Sequence, residues 1–207
     1  MFVIGESEDD DATTIATIEL ENTMQSKELV AGYVEWVEDR LDAGYEPYML
    51  TFMFKPIPGS PARKQIEMYD TVRRTFEKVL TRTNRRPRKE AWDRLPLWMG
   101  CTDWPIPKWD KDHYANIALN DGQHVHIMAL ESPHSRLRKR GILLSDHIFF
   151  DEQRLYFDAE PHLHRIHTME IHETPGEVTD YVFKAIKSGR TGCDDILVLP
   201  RAVSELN

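Results

Sequence analysis

The sequence HYANIALNDGQHVHIMAL, residues 113–130, carries the pattern on which the fold prediction depends. It predicts two short strands joined by a tight turn at 120–122, because β-forming residues flank a cluster of turn residues. Side chains alternate along a strand, so His124 and His126 share one face, where two imidazoles can converge on one ion. In a hairpin with a three-residue loop, Asn116 lies opposite His126. A half-exposed polar face is the alternative interpretation of such a His-x-His pair.

The composition is that of one globular domain with elaborations. The chain has 207 residues, of which 41% are apolar and 29% charged, and a net charge of −9. It lacks an apolar run of membrane-spanning length and a signal-peptide pattern, so we expect a cytoplasmic protein with no membrane partner. Cys101 and Cys193 lie too far apart to suggest a zinc knuckle or a disulfide framework. The negative charge argues against indiscriminate nucleic-acid binding, although basic residues cluster at 63–94 and 136–140.

The domain organisation follows from the acidic start of the chain. Residues 1–25 are expected to form an acidic, partly disordered N-terminus with one strand at 14–20. Residues 26–207 are expected to form a single domain. Ser26 is predicted to cap its first helix, which ends at Gly44.

A buried central strand is predicted at 48–54, where aromatic and apolar residues lie between prolines. Ser60 followed by Pro61 predicts the start of a second long helix. Its buried stripe is expected to comprise Ile66, Tyr69, Val72, Phe76, Val79 and Leu80. Residues 85–111, which mix four tryptophans with prolines and arginines, are predicted to form an irregular insertion. These tryptophans either stack on unpaired bases or, as we prefer, pin the insertion onto the core.

The C-terminal part contains a rival histidine pair, a helix and an edge strand. His162 and His164 lie on a predicted strand and form a second His-x-His. Residues 174–177, Thr-Pro-Gly-Glu, form a capping-box pattern, so a helix is predicted from there to Gly189. An edge strand is predicted at 196–200.

The order of these features resembles the HUH endonucleases, the family of rolling-circle replication initiators, relaxases and single-strand transposases. Residues 124–126, His-Val-His, are similar to the family's motif of two histidines around a bulky apolar residue. Residues 181–184, Tyr-Val-Phe-Lys, are similar to the Tyr-Val-x-Lys helix of the initiators. The tyrosine follows the histidines here, as it does in initiators and small transposases.

The resemblance implies an α+β fold of the ferredoxin/RRM-like kind, with a central antiparallel sheet and flanking helices. It implies a divalent cation, Mn²⁺ or Mg²⁺, held by His124, His126 and a third ligand eight residues before His124. Viral initiators commonly have glutamate at that third position, whereas this chain has Asn116. Because hard cations prefer carboxylates, the neutral amide weakens the expected site.

The resemblance also implies a reaction and its partners. Tyr181 would attack a DNA phosphate and form a 5′-phosphotyrosine, while Lys184 would assist the phenol or the developing phosphate charge. The substrate would be single-stranded or hairpin DNA at a replication origin. The chain has no P-loop, so we expect no nucleotide cofactor and any unwinding would come from a host helicase. The expected DNA-binding residues are Lys187, Arg136, Arg138, Lys139 and Arg140.

Three alternatives remain open at this point. Tyr181 shares a predicted helix side with Val178 and could be a core tyrosine. The chain could be a DNA-binding protein that keeps the nuclease fold without its chemistry. It could also be a cupin-type metalloprotein, since Glu131 follows the pair His124 and His126 at a spacing found in part of a cupin motif.

Overall fold

The computed structural model describes the backbone of residues 8–104 and 119–201, with side chains from residue 24 onward except at 119, 121 and 151. Five antiparallel strands form one open sheet in the order β4-β1-β3-β2-β5. The strands are β1 Glu46–Phe54, β2 Leu97–Asp103, β3 His124–Glu131, β4 Leu163–Glu170 and β5 Leu197–Leu199. The helices are α1 Glu8–Asp42, α2 Pro61–Thr83, α3 Arg136–Lys139, α4 Leu144–Asp146, α5 Gln153–Phe157, α6 Pro175–Val182 and α7 Lys184–Lys187.

The predicted α+β class, with a central antiparallel sheet and flanking helices, is confirmed by this architecture. The predicted central strand at 48–54 is β1, and the predicted edge strand at 196–200 is β5. The cupin alternative is not supported, because in residues 8–104 and 119–201 the sheet ends at β4 on one side and at β5 on the other and does not close into a barrel.

β3 lies at the centre of the sheet, and this corrects the predicted hairpin. β1 pairs with it from Glu131 to His124, and β2 pairs with it from Leu130 to His124. Both edges of β3 are therefore occupied along its length. The hairpin predicted within 113–130 is wrong, and the positions opposite His126 are taken by Thr51 and Cys101 instead of Asn116.

Successive side chains of β3 divide between two hydrophobic cores. Val125 and Ile127 belong to the core that lies under α2. Met128 belongs to a second core with side chains of α1, α6 and α7. Because alternate residues share a face, His124 and His126 lie on the face of Met128, opposite α2.

α2 begins at the predicted residue. The Ser60 hydroxyl oxygen accepts a hydrogen bond from the backbone N–H of Arg63 at 3.4 Å, and Pro61 occupies the first turn. The predicted buried stripe is confirmed except at Ile66, which is 62% exposed. Met68 is fully buried in the same helix. The stripe therefore lies slightly further round the helix than the apolar pattern predicts.

Residues 97–103, which we expected within an irregular insertion, form β2 and are buried throughout. Trp98 is fully buried and packs edge-on against Phe76 of α2, so it cannot stack on a base. Gly100 lets β2 approach β3 closely, since a Cβ at this position would overlap the carbonyl oxygen of His126. This short strand was not predicted because the prolines and arginines around it are typical of irregular structure.

α1 starts earlier than predicted. The chain is helical from Glu8, so the strand predicted at 14–20 is wrong and Ser26 is not a helix cap. The Ser26 hydroxyl instead lies 3.5 Å from the Cys193 sulfur. Glutamate, alanine, leucine and methionine favour helix even where their charge pattern suggests disorder. Neither α1 nor any other helix in the described ranges has an apolar stretch that could cross a membrane.

The predicted C-terminal helix is present but interrupted. Pro175 occupies its first turn, yet Thr174 has a left-handed φ of 48° and its side chain makes no capping bond. The capping box with Glu177 is therefore wrong. The helix breaks at Phe183, which separates α6 from α7.

Glu131, at the end of β3, is a buried carboxyl group whose Oε1 accepts a hydrogen bond from the Ser135 hydroxyl. No hydrogen-bond donor in the described part of the chain reaches its Oε2. Burial raises the pKa of Glu131 to about 7, and the nearby Glu46 adds to this rise against the opposing effects of Ser135 and Arg138. The folded chain therefore holds the proton of Glu131 more tightly than the unfolded chain.

We predict that the effect of Glu131→Gln on the free energy of unfolding, relative to the wild type, is more stabilising at pH 8 than at pH 5. Because the folded-state pKa is raised, the stability contributed by protonated Glu131 is present at low pH and is lost as the pH rises through about 7. A neutral amide avoids that loss, which amounts to at most about 3 kcal/mol. Urea unfolding at both pH values measures the difference, with the exposed Glu173→Gln as the control. Equal effects of Glu131→Gln at the two pH values would contradict the prediction.

Candidate metal centre

His124 and His126 point into the same space beside β3. Their Nε2 atoms are 2.9 Å apart, and their rings meet edge to face with centroids 4.5 Å apart. His126 is buried and His124 is partly exposed. The two imidazoles therefore present their outer nitrogens to one point, on one face of the sheet.

The turn before β3 fixes the proton of His124. Nδ1 of His124 lies 2.8 Å from the carbonyl oxygen of Gly122, which can only accept a hydrogen bond. Nδ1 therefore carries the proton, and Nε2 of the neutral ring keeps a lone pair for a ligand. The side-chain oxygen of Asn120 accepts a hydrogen bond from the Ile57 N–H at 3.1 Å and anchors the turn. Asn120 and Gly122 have φ of 52° and 75°, values that asparagine and glycine tolerate.

A threonine on the neighbouring strand orients His126. Nδ1 of His126 lies 3.1 Å from the hydroxyl oxygen of Thr51, its partner in the β1–β3 ladder. A hydroxyl can donate or accept, so Thr51 supports either tautomer of the ring. Burial lowers the pKa of His126 to about 3, with help from His124 and Lys184 and against the attraction of Asp103. His126 is neutral at pH 7 as a result, and its Nε2 can bind a metal when Nδ1 donates to Thr51.

Asp103 brings a carboxylate to the two rings. It is the last residue of β2 and pairs with His124 across the β2–β3 ladder. Its Oδ2 lies 3.5 Å from Nε2 of His124 and 3.8 Å from Nε2 of His126. Asp103 is not among the predicted site residues, because the sequence pattern predicts no strand at 97–103. The signal was a short apolar run, 97–101, followed by polar residues.

Two cations hold the buried carboxylate of Asp103. Nζ of Lys184 lies 2.8 Å from Oδ2, and Nη1 of Arg190 lies 3.1 Å from Oδ1. Such pairing offsets the cost of burying a charge. Burial lowers the pKa of Lys184, but its interactions with Asp103 and Tyr181 outweigh that effect and raise the pKa overall. Lys184 therefore stays protonated beside the centre.

The three side chains fit a metal ion. Asp103, His124 and His126 are the one group of potential ligands at metal-binding spacing found in residues 8–104 and 119–201. Two ligand atoms that are each about 2.1 Å from an ion cannot be more than about 4.2 Å apart. The separations of 2.9, 3.5 and 3.8 Å satisfy this limit. Two neutral imidazoles and one carboxylate suit several divalent transition-metal ions.

Tyr181 lies at the rim of the same space. Its ring centroid is 5.3 Å from that of His126, and Nζ of Lys184 lies 3.9 Å from the Tyr181 ring centroid. Tyr181 is 46% exposed, whereas the next residue, Val182, is buried in the core. The core-tyrosine alternative is therefore wrong. The structure brings Tyr181 and Lys184 to the histidine pair.

The other predicted site residues in the described part of the chain are not members of this group. Asn116 lies outside the described residues, so its role as a ligand stays a prediction. His162 and His164 lie at the start of the edge strand β4, away from the metal-binding group. Lys187 is engaged by Asp180, whose two carboxylate oxygens lie 2.6 and 2.7 Å from its Nζ.

The basic cluster 136–140 lies beyond the opposite end of β3. His124 and Glu131 are separated by seven residues at about 3.3 Å each, or roughly 23 Å along the strand. The cluster follows Glu131 and packs on the α2 side of the sheet through Leu137. Arg138 in this cluster pairs with Glu46 at 2.8 Å. The structure therefore separates this cluster from the histidine pair.

Comparison of the chain with protein-family models, with curated proteins and with solved structures found no match. The geometry of the centre and the motifs in the sequence are therefore the basis for assigning a function.

We predict that His124→Ala or His126→Ala weakens Mn²⁺ binding by at least about 100-fold, because each change removes a ligand that the backbone and Thr51 orient. Isothermal titration calorimetry measures the affinity. His164→Ala, in the second His-x-His, is the matched control and should bind as the wild type does. Equal weakening by His164→Ala, or wild-type affinity in both test variants, would show that the ion binds elsewhere.

We predict that Thr51→Val weakens Mn²⁺ binding about 10- to 100-fold, as loss of an outer-shell partner commonly does. Valine has nearly the shape of threonine but cannot accept the Nδ1–H bond of His126. Thr168→Val, on β4, is the control because Thr168 does not contact the pair. Unchanged affinity in Thr51→Val would mean that the hydroxyl does not orient the ring.

Proposed function

We propose that this chain is a metal-dependent endonuclease and strand transferase that nicks and rejoins single-stranded DNA through Tyr181. The observation that carries the proposal is that the potential metal ligands and the tyrosine lie together. The ligands Asp103, His124 and His126, from two strands, meet Tyr181 and its neighbour Lys184, from the C-terminal helices, on one face of the sheet. The HUH resemblance requires such a meeting of histidines and a late tyrosine.

The connectivity supports the ferredoxin/RRM-like form of the α+β class. The chain runs β1-α2-β2-β3, then through short helices to β4, and these strands lie in the order β4-β1-β3-β2. This is the order of a split βαβ arrangement, to which β5 adds an outer strand. Helix α2 packs on one face, which leaves the other for the centre and the helices around it.

The metal that we propose is Mn²⁺ or Mg²⁺, with Mn²⁺ favoured by the neutral imidazole ligands. When bound, the ion would polarise the phosphate oxygens and help to orient the bond that breaks. Asp103 supplies the anionic ligand that Asn116 cannot supply. This favours an active enzyme over a DNA-binding protein that has lost its chemistry.

Tyr181 is the proposed nucleophile. Its oxygen bonds to phosphorus, the bond between phosphorus and O3′ breaks, and the phenol proton passes through solvent to the departing oxygen. The products are a 5′-phosphotyrosine and a free 3′-hydroxyl. The protonated Lys184 stabilises negative charge on the phenol oxygen or the phosphate. Rejoining is the reverse of this step, because the phosphotyrosine remains an activated ester.

The exposed part of the same face offers a path for the DNA strand. Met53 pairs with His124 on one side and with Arg165 on the other, so the exposed Arg165 lies in one row with the centre. Thr51 pairs in the same way with the exposed His167. A guanidinium and an imidazole beside the centre can contact backbone phosphates.

We propose that the substrate is single-stranded or hairpin DNA at the origin of a plasmid or phage that replicates by a rolling circle. Lys187 in α7 would contact the strand by leaving the carboxylate of Asp180, and a host helicase would unwind the DNA. The basic cluster 136–140 lies too far from the centre to contact the nicked phosphate. The free thiols of Cys101 and Cys193 suit the reducing cytoplasm in which we place this activity.

We predict a metal-dependent covalent adduct between the wild-type protein and DNA. The protein is incubated with Mn²⁺ and a fluorescent library of single-stranded hairpins, and adducts are separated on a denaturing gel. Tyr181→Phe should reduce the adduct at least about 100-fold, because phenylalanine has no nucleophile. Peptide mapping should find the nucleotide on Tyr181.

Tyr33→Phe is the matched control, since Tyr33 stacks on Phe183 in the same layer and its ring is retained. This variant should form the adduct as the wild type does. An adduct that persists in Tyr181→Phe would contradict the assigned nucleophile. DNA binding by the wild type without any adduct, in Mn²⁺ or Mg²⁺, would support the DNA-binding alternative instead.

A further inference from the structure

A cavity lined by charged residues lies on the α2 side of the sheet, on the opposite face from the metal centre. Its volume is about 530 Å³, within the range of small-molecule sites. Three arginines line it: Arg82 at the end of α2, and Arg136 and Arg140 at the two ends of α3. No reaction proposed for Tyr181 uses this cavity.

The arginines are available to an anion. Arg136 and Arg140 are four residues apart and so lie on one side of a helical turn. Both are exposed, and within the described parts of the chain neither guanidinium has a hydrogen bond or an ion pair. Arg82 has a long contact with Glu152, 3.7 Å between Nε and Oε1. Three positive charges thus face one negative charge, in a chain with a net charge of −9.

The rest of the wall combines polar and apolar side chains. His147 is buried, and its Nε2 lies 2.9 Å from the hydroxyl of Tyr156, which is fully buried. Leu137 and Ile142 supply the apolar lining. The three guanidinium groups nevertheless make the cavity better suited to an anion than to a hydrophobic ligand. Guanidinium groups bind phosphate oxygens in pairs, which matches a ligand with several such oxygens.

We propose that this cavity binds a small polyphosphate anion of the size of pyrophosphate, with Arg82, Arg136 and Arg140 as its ligands. The site is independent of the metal centre, from which the sheet separates it. A ligand there contacts the end of α2 and both ends of α3 at once. It would therefore tie α3 to α2 on the face that the DNA does not use.

The test is calorimetric titration of the metal-free protein with sodium pyrophosphate at low salt. Pyrophosphate should bind the wild type, and the double variant Arg136→Gln with Arg140→Gln should weaken binding at least tenfold. Lys139→Gln, which removes an exposed charge from the same helix outside the cavity, should change the affinity less than twofold. Circular dichroism confirms that each variant is folded. Should the double variant not fold, Arg136→Lys and Arg140→Lys are tested instead. Each keeps the charge but loses the paired N–H donors of the guanidinium group, and each should still weaken pyrophosphate binding.

Three outcomes would overturn the proposal. The first is the absence of pyrophosphate binding by the wild type at millimolar concentration, and the second is equal weakening by Lys139→Gln. The third is a twelve-nucleotide oligothymidine that binds through Arg136 and Arg140 while pyrophosphate neither binds nor competes. That result would make the arginines part of a nucleic-acid surface instead of a small-molecule site.

Discussion

The pairing of the buried Asp103 carboxylate with two cations is the interaction on which the proposed site depends. A charge removed from water must be balanced by its surroundings, and Asp103 receives Lys184 on one oxygen and Arg190 on the other. These cations come from the C-terminal part of the chain, whereas the histidines come from β3. The carboxylate therefore ties residues 184–190 to the end of β2. Tyr181 is brought to His124 and His126 by the same contact.

That balance also constrains the metal. A divalent ion beside His126 would be attracted by the carboxylate of Asp103. It would be repelled by the protonated Lys184, which pairs with Oδ2 of the same carboxylate. A bound ion would therefore compete with Lys184 for Asp103, which would leave the ammonium freer to interact with Tyr181 or a phosphate. In the proposed function, the ion and Lys184 would act on neighbouring points of the same substrate. The sheet separates this chemistry from the arginine-lined cavity under α2.

The sequence predicted those features that depend on local chemistry. Ser60 and Pro61 define the start of α2 by hydrogen bonding and by a fixed φ, and alternation along β3 places His124 and His126 together. Features that depend on pairing between distant strands were not predictable in this way. The hairpin failed because a turn pattern at 120–122 does not show which strands occupy the edges of β3.

Asp103 was missed for a related reason. Its role comes from the register of β2 against β3, and a single sequence carries no direct signal for that register. Trp98 was likewise assigned to an irregular insertion. The prolines and arginines around it indicated a loop, and the apolar run was too short to indicate a strand. The Tyr181 helix was correctly placed, although its cap was wrong: Thr174 adopts a left-handed conformation that the Thr-x-x-Glu pattern does not reveal.

The most direct test of the central claim is a crystal structure with Mn²⁺, located by its anomalous scattering. The account predicts one strong peak about 2.0–2.4 Å from Nε2 of His124, Nε2 of His126 and a carboxylate oxygen of Asp103, with Tyr181 beside it. A peak at His162 and His164, or no peak at saturating Mn²⁺, would contradict the claim that these residues form the metal centre.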